Sequence, residues 1–533
     1  MSAEQGRYSA RPARTAAGWA LQRLTPPSRL FGANGIRTGP DGRIYVAQVS
    51  GSQISAVDIA TGAIEPISPK GGDIVAPDDL VFDAEGNLYV TEITEGRVSV
   101  RTPNGTTRVL CGDVPVANPI TFHQGRLFVG ECRVGGRIME LDLNGGTPRI
   151  LLDNVPMPNA FSVGPDGKLY IPVMGTNEIW RVGLEGGTPE KVAGELGVPD
   201  SVKFDAHGQI VSTQVVSGQV LRIDPRSGER TVLANLSPGL DNSTYAGERL
   251  FVSNISGCIT EILASGATRE LVRDGFNWPL GLALDDAGTL YVADGPFSYS
   301  LRPGQERQFI GMLFSPGYPG YSRGVAASGD GEFIITTANG AVARYRPAAQ
   351  KSEVLAEGFD QLYGVAITHN GTVIAAETGT GRVLGIKAGQ VQALATGLDQ
   401  PKGVAVDADD ACFIAETGAG RVIKLSGGRR QVVLDGLQQP QGILVHGQQL
   451  YIVAAGSKEL IQYDLKNAAR HVIAANLPVG APPGVIPKPL GAIGTLSGPM
   501  GPFAGIAAGA DGTLYVSGDA EGSVLALCPI AKQ

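Results

Sequence analysis

Asn34, Asp78, Asn118, Asn159, Asp200 and Asp241 carry side-chain oxygens and recur about 40 to 44 residues apart. Carboxylates and amide carbonyls are the ligands that hard cations such as Ca²⁺ or Mg²⁺ take. Three Asp brought to one place would repel each other unless a cation sat among them. A cation so held polarises a carbonyl and acidifies a bound water, and a neighbouring carboxylate takes up the proton. Such a set of groups makes sense for ester or lactone hydrolysis. Asn and Asp also make turns, and Pro-Asp or Pro-Asn before a strand often signals nothing more. Six in phase, with no counterpart in the second half of the chain, point to a functional ring.

The second half places Leu280, Arg323, Tyr363, Lys402, Gln441 and Ala504 at the corresponding positions. Two cations and a phenol could bind a carboxylate or phosphate. The expected arrangement is instead a plug, with Arg323 and Lys402 paired to Glu377 and Glu416, because buried charges are normally paired. Glu92, Glu131 and Asp294 also end strands returning to the mouths, which makes Glu92 and Glu131 candidates for supporting metal ligands. His123, His207, His369 and His446 fall in or beside turns at the far face and His471 in an outer strand, so no pair has ligand spacing. No Ser-His-Asp arrangement emerges, and no GxGxxG or P-loop sits in a βαβ context.

What positions these residues is a repeat. Pro77 to Glu92, PDDLVFDAEGNLYVTE, reads as two short strands around a tight turn on Ala84-Glu85-Gly86. Near-copies begin at Ala33, Pro158, Pro279 and Gln400. Aligned on the residue before the first strand, twelve units appear, a period that fits four-stranded propeller blades. Twelve blades exceed one propeller, so the expected fold is all-β, two tandem six-bladed β-propellers, each closed by an N-terminal outer strand. Residues 1–18 read as a disordered leader, 19–266 as the first propeller and 267–533 as the second. To leave no open sheet edge, Trp19 to Leu24 should complete the sixth blade beside Cys258 to Leu263, and Glu270 to Arg273 the twelfth beside Gly522 to Cys528. Two segments interrupt the period, Gly311 to Ser322 and the Pro/Gly-rich Asn476 to Pro502, as lids, binding loops or plain insertions at the ring face.

The chain's 533 residues exceed what one core supports, and 75 Gly with 6% aromatic residues suit short strands and many turns. A net charge of −8 without a basic block speaks against nucleic acid. Lacking a signal peptide or a membrane-length apolar run, the chain is expected to be cytoplasmic. The five cysteines show no CxxC spacing, so neither a disulfide framework nor a thiolate metal site is indicated.

The Asn34-Gly35-Ile36 start, Pro158-Asn159 and Pro199-Asp200, each ahead of a hairpin with a DG- or HG-type turn, resemble the regucalcin/gluconolactonase family of six-bladed propellers. The hairpin is shared with NHL-type repeats and virginiamycin B lyase-like proteins. The resemblance covers about 240 residues. It implies a divalent cation near the channel mouth, held by a Glu of the first blade, an Asn of the fourth and an Asp of the fifth. An Asn of the third blade contacts substrate, and the fifth-blade Asp doubles as general base. These roles fall on Asn34, Asn159, Asp200 and Asn118, with Asp200 also the base. Asn34 departs from the family's Glu and removes one charge, which Asp78 or Asp241 would supply. Ca²⁺ is the expected ion, with Mg²⁺, Mn²⁺ and Zn²⁺ as alternatives, and a small molecule is the expected substrate. Arg323, Tyr363 and Lys402 remain candidate substrate contacts. The rival readings are a lyase or isomerase using the same metal and base, and a non-catalytic binding scaffold.

Overall fold

The structure is a computed structural model that describes residues 6–8, 11–302, 304–480 and 503–530. It consists of twelve antiparallel four-stranded sheets, one of which gains a fifth, two-residue strand. The chain separates into two compact units, residues 29–277 and residues 1–28 together with 278–533. In each unit the inner strands of six successive blades touch in turn and the last touches the first, closing a ring. No helix of the described residues is long and apolar enough to cross a membrane.

The repeated hairpin forms for local reasons. Leu80, Val81 and Phe82 pair with Val90, Tyr89 and Leu88. Asp83 opens the turn, its Oδ1 accepting the backbone N–H groups of Glu85 (3.1 Å) and Asn87 (2.8 Å). Gly86 takes the left-handed conformation, φ 81°, that the turn requires. Asp205, Asp285 and Asp407 open their turns in the same way. Between blades, apolar residues of facing strands interdigitate. One such cluster joins Val81, Tyr89 and Val98 of the second blade to Ile120, Leu127 and Val129 of the third.

Ring closure differs from the scheme expected of the sequence. The strand Trp19–Arg23 pairs with Ser523–Pro529 and completes the twelfth blade. The sixth blade is completed by its own continuation, Thr268–Val272, which pairs with Ile259–Ile262. Both schemes leave no open edge, so edge avoidance could not choose between them. Packing does: Trp19 and Leu21 lie against the twelfth-blade cluster of Leu514, Val516, Leu525 and Leu527. The Arg23–Glu521 ion pair at 2.8 Å adds to the match. The first propeller is thus inserted in the chain between the closing strand of the second and the rest of it. The unit boundary accordingly lies at 277/278 rather than 266/267.

The leader is also ordered where it is described. Arg14 and Thr15 pair with Ala475 and Ala474 as an added strand. Arg7 donates to the carbonyls of Asp519 (3.0 Å) and Ala520 (3.3 Å). Gly311 to Ser322 is not a free lid. It begins in the outer strand Gln308–Met312 and buries Tyr321, while Tyr318 Oη lies 2.9 Å from Ser298 Oγ. Within the expected insertion, Leu477 and Val479 are core residues. Its remainder, residues 481–502, lies outside the described residues.

Candidate active site

The inner strands carry the ring residues to one end of each channel, and a backbone irregularity aims most of them. In eight of the twelve blades the register of the inner hairpin shifts between the strand's first residue and its fourth, as between Pro77 and Leu80 or Pro199 and Val202. Asp78, Asn118, Asp200 and Asp241 sit inside these bulges. Such bulges re-aim side chains and recur next to functional sites. Asn34 and Asn159 instead precede shorter strands and are held through their N–H groups to Ala47 and Pro172. A hydroxyl on the second strand latches neighbouring blades. Thr91 Oγ1 accepts from Asp79 N–H (2.9 Å) and donates to the carbonyl of Asn118 (2.8 Å). Thr213 and Ser253 do the same for Asp241 and Asn34.

All six first-ring residues are buried. Asn34 Nδ2 donates to Asp241 Oδ2 at 3.2 Å, and Asn159 Nδ2 donates to Asp200 Oδ2 at 2.8 Å. Asp200 Oδ1 is buried with no hydrogen-bond partner among the described residues. Burial, then the neighbouring carboxylates, hold Asp78 and Asp200 well above the ordinary carboxylate range. Burial and Asp79 push Asp241 up to about 8, against the opposing pull of Asn34 and Lys203. Cys132, also buried, has its thiol raised by burial and by Asp78, Asp200 and Asp241.

One layer further in lie residues that the ring alignment passed over. Asp79 accepts from Leu80 N–H (2.9 Å) and Asn242 Nδ2 (3.2 Å), and Arg37 Nη2 lies 3.7 Å away. Lys203 Nζ is buried with no hydrogen-bond partner among the described residues. Burial and Arg37 push its amine down to about 7, opposed by Asp79, Asp200 and Asp241. Four carboxylates and two cations therefore share this channel, an excess of two negative charges when all are ionised. The signal was present in the strand sequences, where Asp79 doubles the Pro-Asp and Lys203 interrupts an apolar run.

A divalent cation suits this channel on two grounds, the orphaned Asp200 Oδ1 and the oxygen-only donors. No group of three or more His, Cys, Asp or Glu among the described residues is disposed to hold a metal. A cation would therefore also draw on the Asn34 and Asn159 amides, whose oxygens accept from Val49 N–H (3.2 Å) and Ala160 N–H (2.8 Å) and keep a second lone pair.

Glu92 and Glu131 do not support the ring. Glu92 Oε2 accepts from Val75 N–H (2.7 Å) and its carboxylate is paired with Arg97. Glu131 is gripped by Arg133 and Arg137. Gln48, Gln214, Asp294, Glu377, Glu416 and Asp519 accept the same incoming-loop N–H in their blades. Ending a second strand with a long acceptor is thus a structural device, satisfying a buried backbone donor.

The expected plug of the second channel is also absent. Glu377 pairs with Arg382 and Glu416 with Arg421, both at 2.6 Å, not with Arg323 and Lys402. Adjacent third-strand arginines reach these carboxylates across one hairpin, so the ring cations are left to another arrangement. Arg323 Cζ lies 4.4 Å and Lys402 Nζ 4.8 Å from the centroid of the Tyr363 ring. Burial alone would raise the Tyr363 phenol, but the two cations outweigh it and lower it.

The chain matches no family model and no curated protein sequence. Solved structures similar to it include a virginiamycin B lyase from Staphylococcus aureus, 20% identical over 52% of this chain and 96% of that one, with a TM-score of 0.38. A gluconolactonase from Xanthomonas campestris is 16% identical over 47% and 97%, with a TM-score of 0.39. A streptogramin B lyase is 18% identical over 52% and 94%, with a TM-score of 0.38. None of these figures assigns an activity to this chain.

Proposed function

We propose that the first propeller is a metal-dependent hydrolase of the lactone or ester type, acting on a small molecule at its channel mouth. The observation that carries this reading is Asp200. Its Oδ1 is buried with no hydrogen-bond partner among the described residues while its Oδ2 is fixed by Asn159, among carboxylates that hold its proton affinity above the ordinary range. A carboxylate with raised proton affinity is a stronger base, and an oxygen without a hydrogen-bond partner among the described residues can receive a proton. Asn159 fixes the orientation of that carboxylate, and Asn34 does the same for Asp241. Asn118 offers its amide to the substrate. Asn34, Asn159 and Asp200 would hold a divalent cation, with Asp78 and Asp241 adding charge. Such an ion, Ca²⁺ first among the candidates, would polarise the scissile carbonyl and acidify a water.

The test is Asp200→Asn, assayed on a panel of lactones and simple esters beside elimination substrates. Turnover should fall by about 10² to 10⁴-fold, the usual contribution of a positioned base. Melting should not drop, because Asn keeps an oxygen for Asn159 Nδ2 and removes a group whose charged form burial disfavours. Wild-type turnover in this variant would overturn the reading, and activity confined to the elimination substrates would make the enzyme a lyase.

A further inference from the structure

The turn face of the first propeller, opposite the mouth of Asp200, carries a gap in the repeat. Matched by hairpin register, one position on the second strand is aromatic in five of the six blades: Tyr45, Tyr89, Phe128, Tyr170 and Phe251. The fifth blade has Val211 there. The three tyrosines each make two contacts. Their hydroxyls donate to the aspartate that opens their own turn, Tyr45 to Asp41 at 3.2 Å, Tyr89 to Asp83 at 3.1 Å and Tyr170 to Asp166 at 3.0 Å. Their rings pack on a Phe of the next blade, Phe82, Phe122 and Phe204, with centroids 4.8, 5.8 and 5.0 Å apart. Tyr170 Oη also accepts from Arg181 Nη1 at 3.4 Å, from directly across the strand pair.

The fifth blade keeps these surroundings and lacks the phenol. Asp205 opens the turn, and its Oδ1 accepts from the N–H groups of His207 and Gln209. Its side chain is only 7% exposed, and Oδ2 is buried with no hydrogen-bond partner among the described residues; Arg222 Nε lies 3.2 Å away as an ion pair. Arg222 stands opposite Val211 as Arg181 stands opposite Tyr170. In the sixth blade Tyr245 takes the place of the Phe. Burial and then the Asp205 charge push its phenol up to about 12 against the pull of Arg222, so both charged groups act on the same space. That space is a cavity of about 790 Å³ between the fifth and sixth blades, with Asp205, Arg222, Tyr245 and Leu250 in its wall. Val232 and Leu263, two exposed apolar side chains, also line it. Small-molecule sites span roughly 300–1,000 Å³.

We infer that this cleft binds a small molecule bearing a phenol ring, whose hydroxyl donates to Asp205 Oδ2 and accepts from Arg222 while the ring packs on Tyr245. A phenol is what the repeat itself seats between the equivalent aspartate and arginine of the fourth blade. A carboxylate acceptor beside a guanidinium donor selects a hydroxyl, which both gives and accepts a hydrogen bond. One ring fills only part of the cavity, so the rest of such a ligand extends along Val232 and Leu263. The site is independent of the hydrolase reading.

The test is an equilibrium titration of the full chain with 4-methylphenol, followed by saturation-transfer NMR, beside toluene, the same ring without its hydroxyl. 4-Methylphenol should bind saturably, and toluene at least tenfold more weakly, because the charged acceptor then goes unused. Asp205→Asn, which keeps an oxygen for the turn, should weaken 4-methylphenol at least tenfold. Val211→Tyr returns the repeat's own phenol to the cleft and should weaken it as much. Where Val211→Tyr does not fold, Asp205→Asn decides. The inference is overturned when 4-methylphenol shows no saturable binding, when toluene binds as tightly, or when either folded variant binds 4-methylphenol as the wild type does.

Discussion

The two channel mouths are built on the same backbone plan and filled with opposite chemistry. In the first, Asp78, Asp79, Asp200 and Asp241 crowd together with Arg37 and Lys203, and Asp200 Oδ1 has no hydrogen-bond partner among the described residues. In the second, Arg323 and Lys402 stack on Tyr363 over a ring of glycines. Bulges aim ring residues in both, and hydroxyl latches bridge blades in both, as Thr91 and Thr336 show. A repeat therefore keeps its scaffold while a single position per blade decides what the channel attracts. Burial and like charge raise the proton affinity of the first mouth's carboxylates, and in the second the two cations lower the Tyr363 phenol.

The largest expected effect comes from breaking the second ring open. Deleting residues 1 to 26 removes Trp19–Arg23 and exposes the edge of Ser523–Pro529. The lost burial of Trp19 and Leu21 and the lost strand pairing amount to about 5 kcal/mol, a fall of roughly 10–20 °C in the melting of that unit. Residues 29–277 should melt as before. A single uniform shift of both transitions, or none, would contradict the closure described above.

An intermediate effect tests the charge in the first mouth. Asp78, Asp200 and Asp241 have folded-state affinities for protons raised above the unfolded value, so the folded state binds the extra protons. Their contribution is then full below about pH 4 and is lost as pH rises through the folded value, about 8 for Asp241. Metal-free protein should lose stability steadily between these limits by denaturant titration, and Asp241→Asn should flatten the slope. Added Ca²⁺ should raise the melting temperature more at pH 8 than at pH 5. A wild-type slope in Asp241→Asn would show that the carboxylates are not coupled as described.

The smallest effect separates structural carboxylates from functional ones. Glu92→Gln keeps an oxygen for Val75 N–H but gives up the charge facing Arg97. Because Arg97 is partly exposed and can hydrate, the cost should be about 1–2 kcal/mol, with kcat and KM unchanged. A drop in turnover with unchanged melting would return Glu92 to the catalytic site.

The sequence by itself determined the repeat, the twelve blades and the two six-membered rings. Period-two apolar strands, Asp-led glycine turns and a recurring period of about 40 residues are local properties, and each unit is legible without its neighbours. It also determined the phase of the ring residues, since a residue just before an inner strand must reach the channel mouth. Which strand closes which ring was decided by tertiary structure, because Trp19–Arg23 and Thr268–Val272 are equally good outer strands until packing against Leu525 and Leu527 selects one. The partners of the charged groups were decided there too. Arg323 and Glu377 stand at adjacent mouth positions in the repeat, but Arg382 reaches Glu377 across a single hairpin. Arg323 is thereby left on Tyr363, an arrangement that only the folded chain shows. Pairing depends on side-chain reach and burial in three dimensions, which no spacing along the chain encodes.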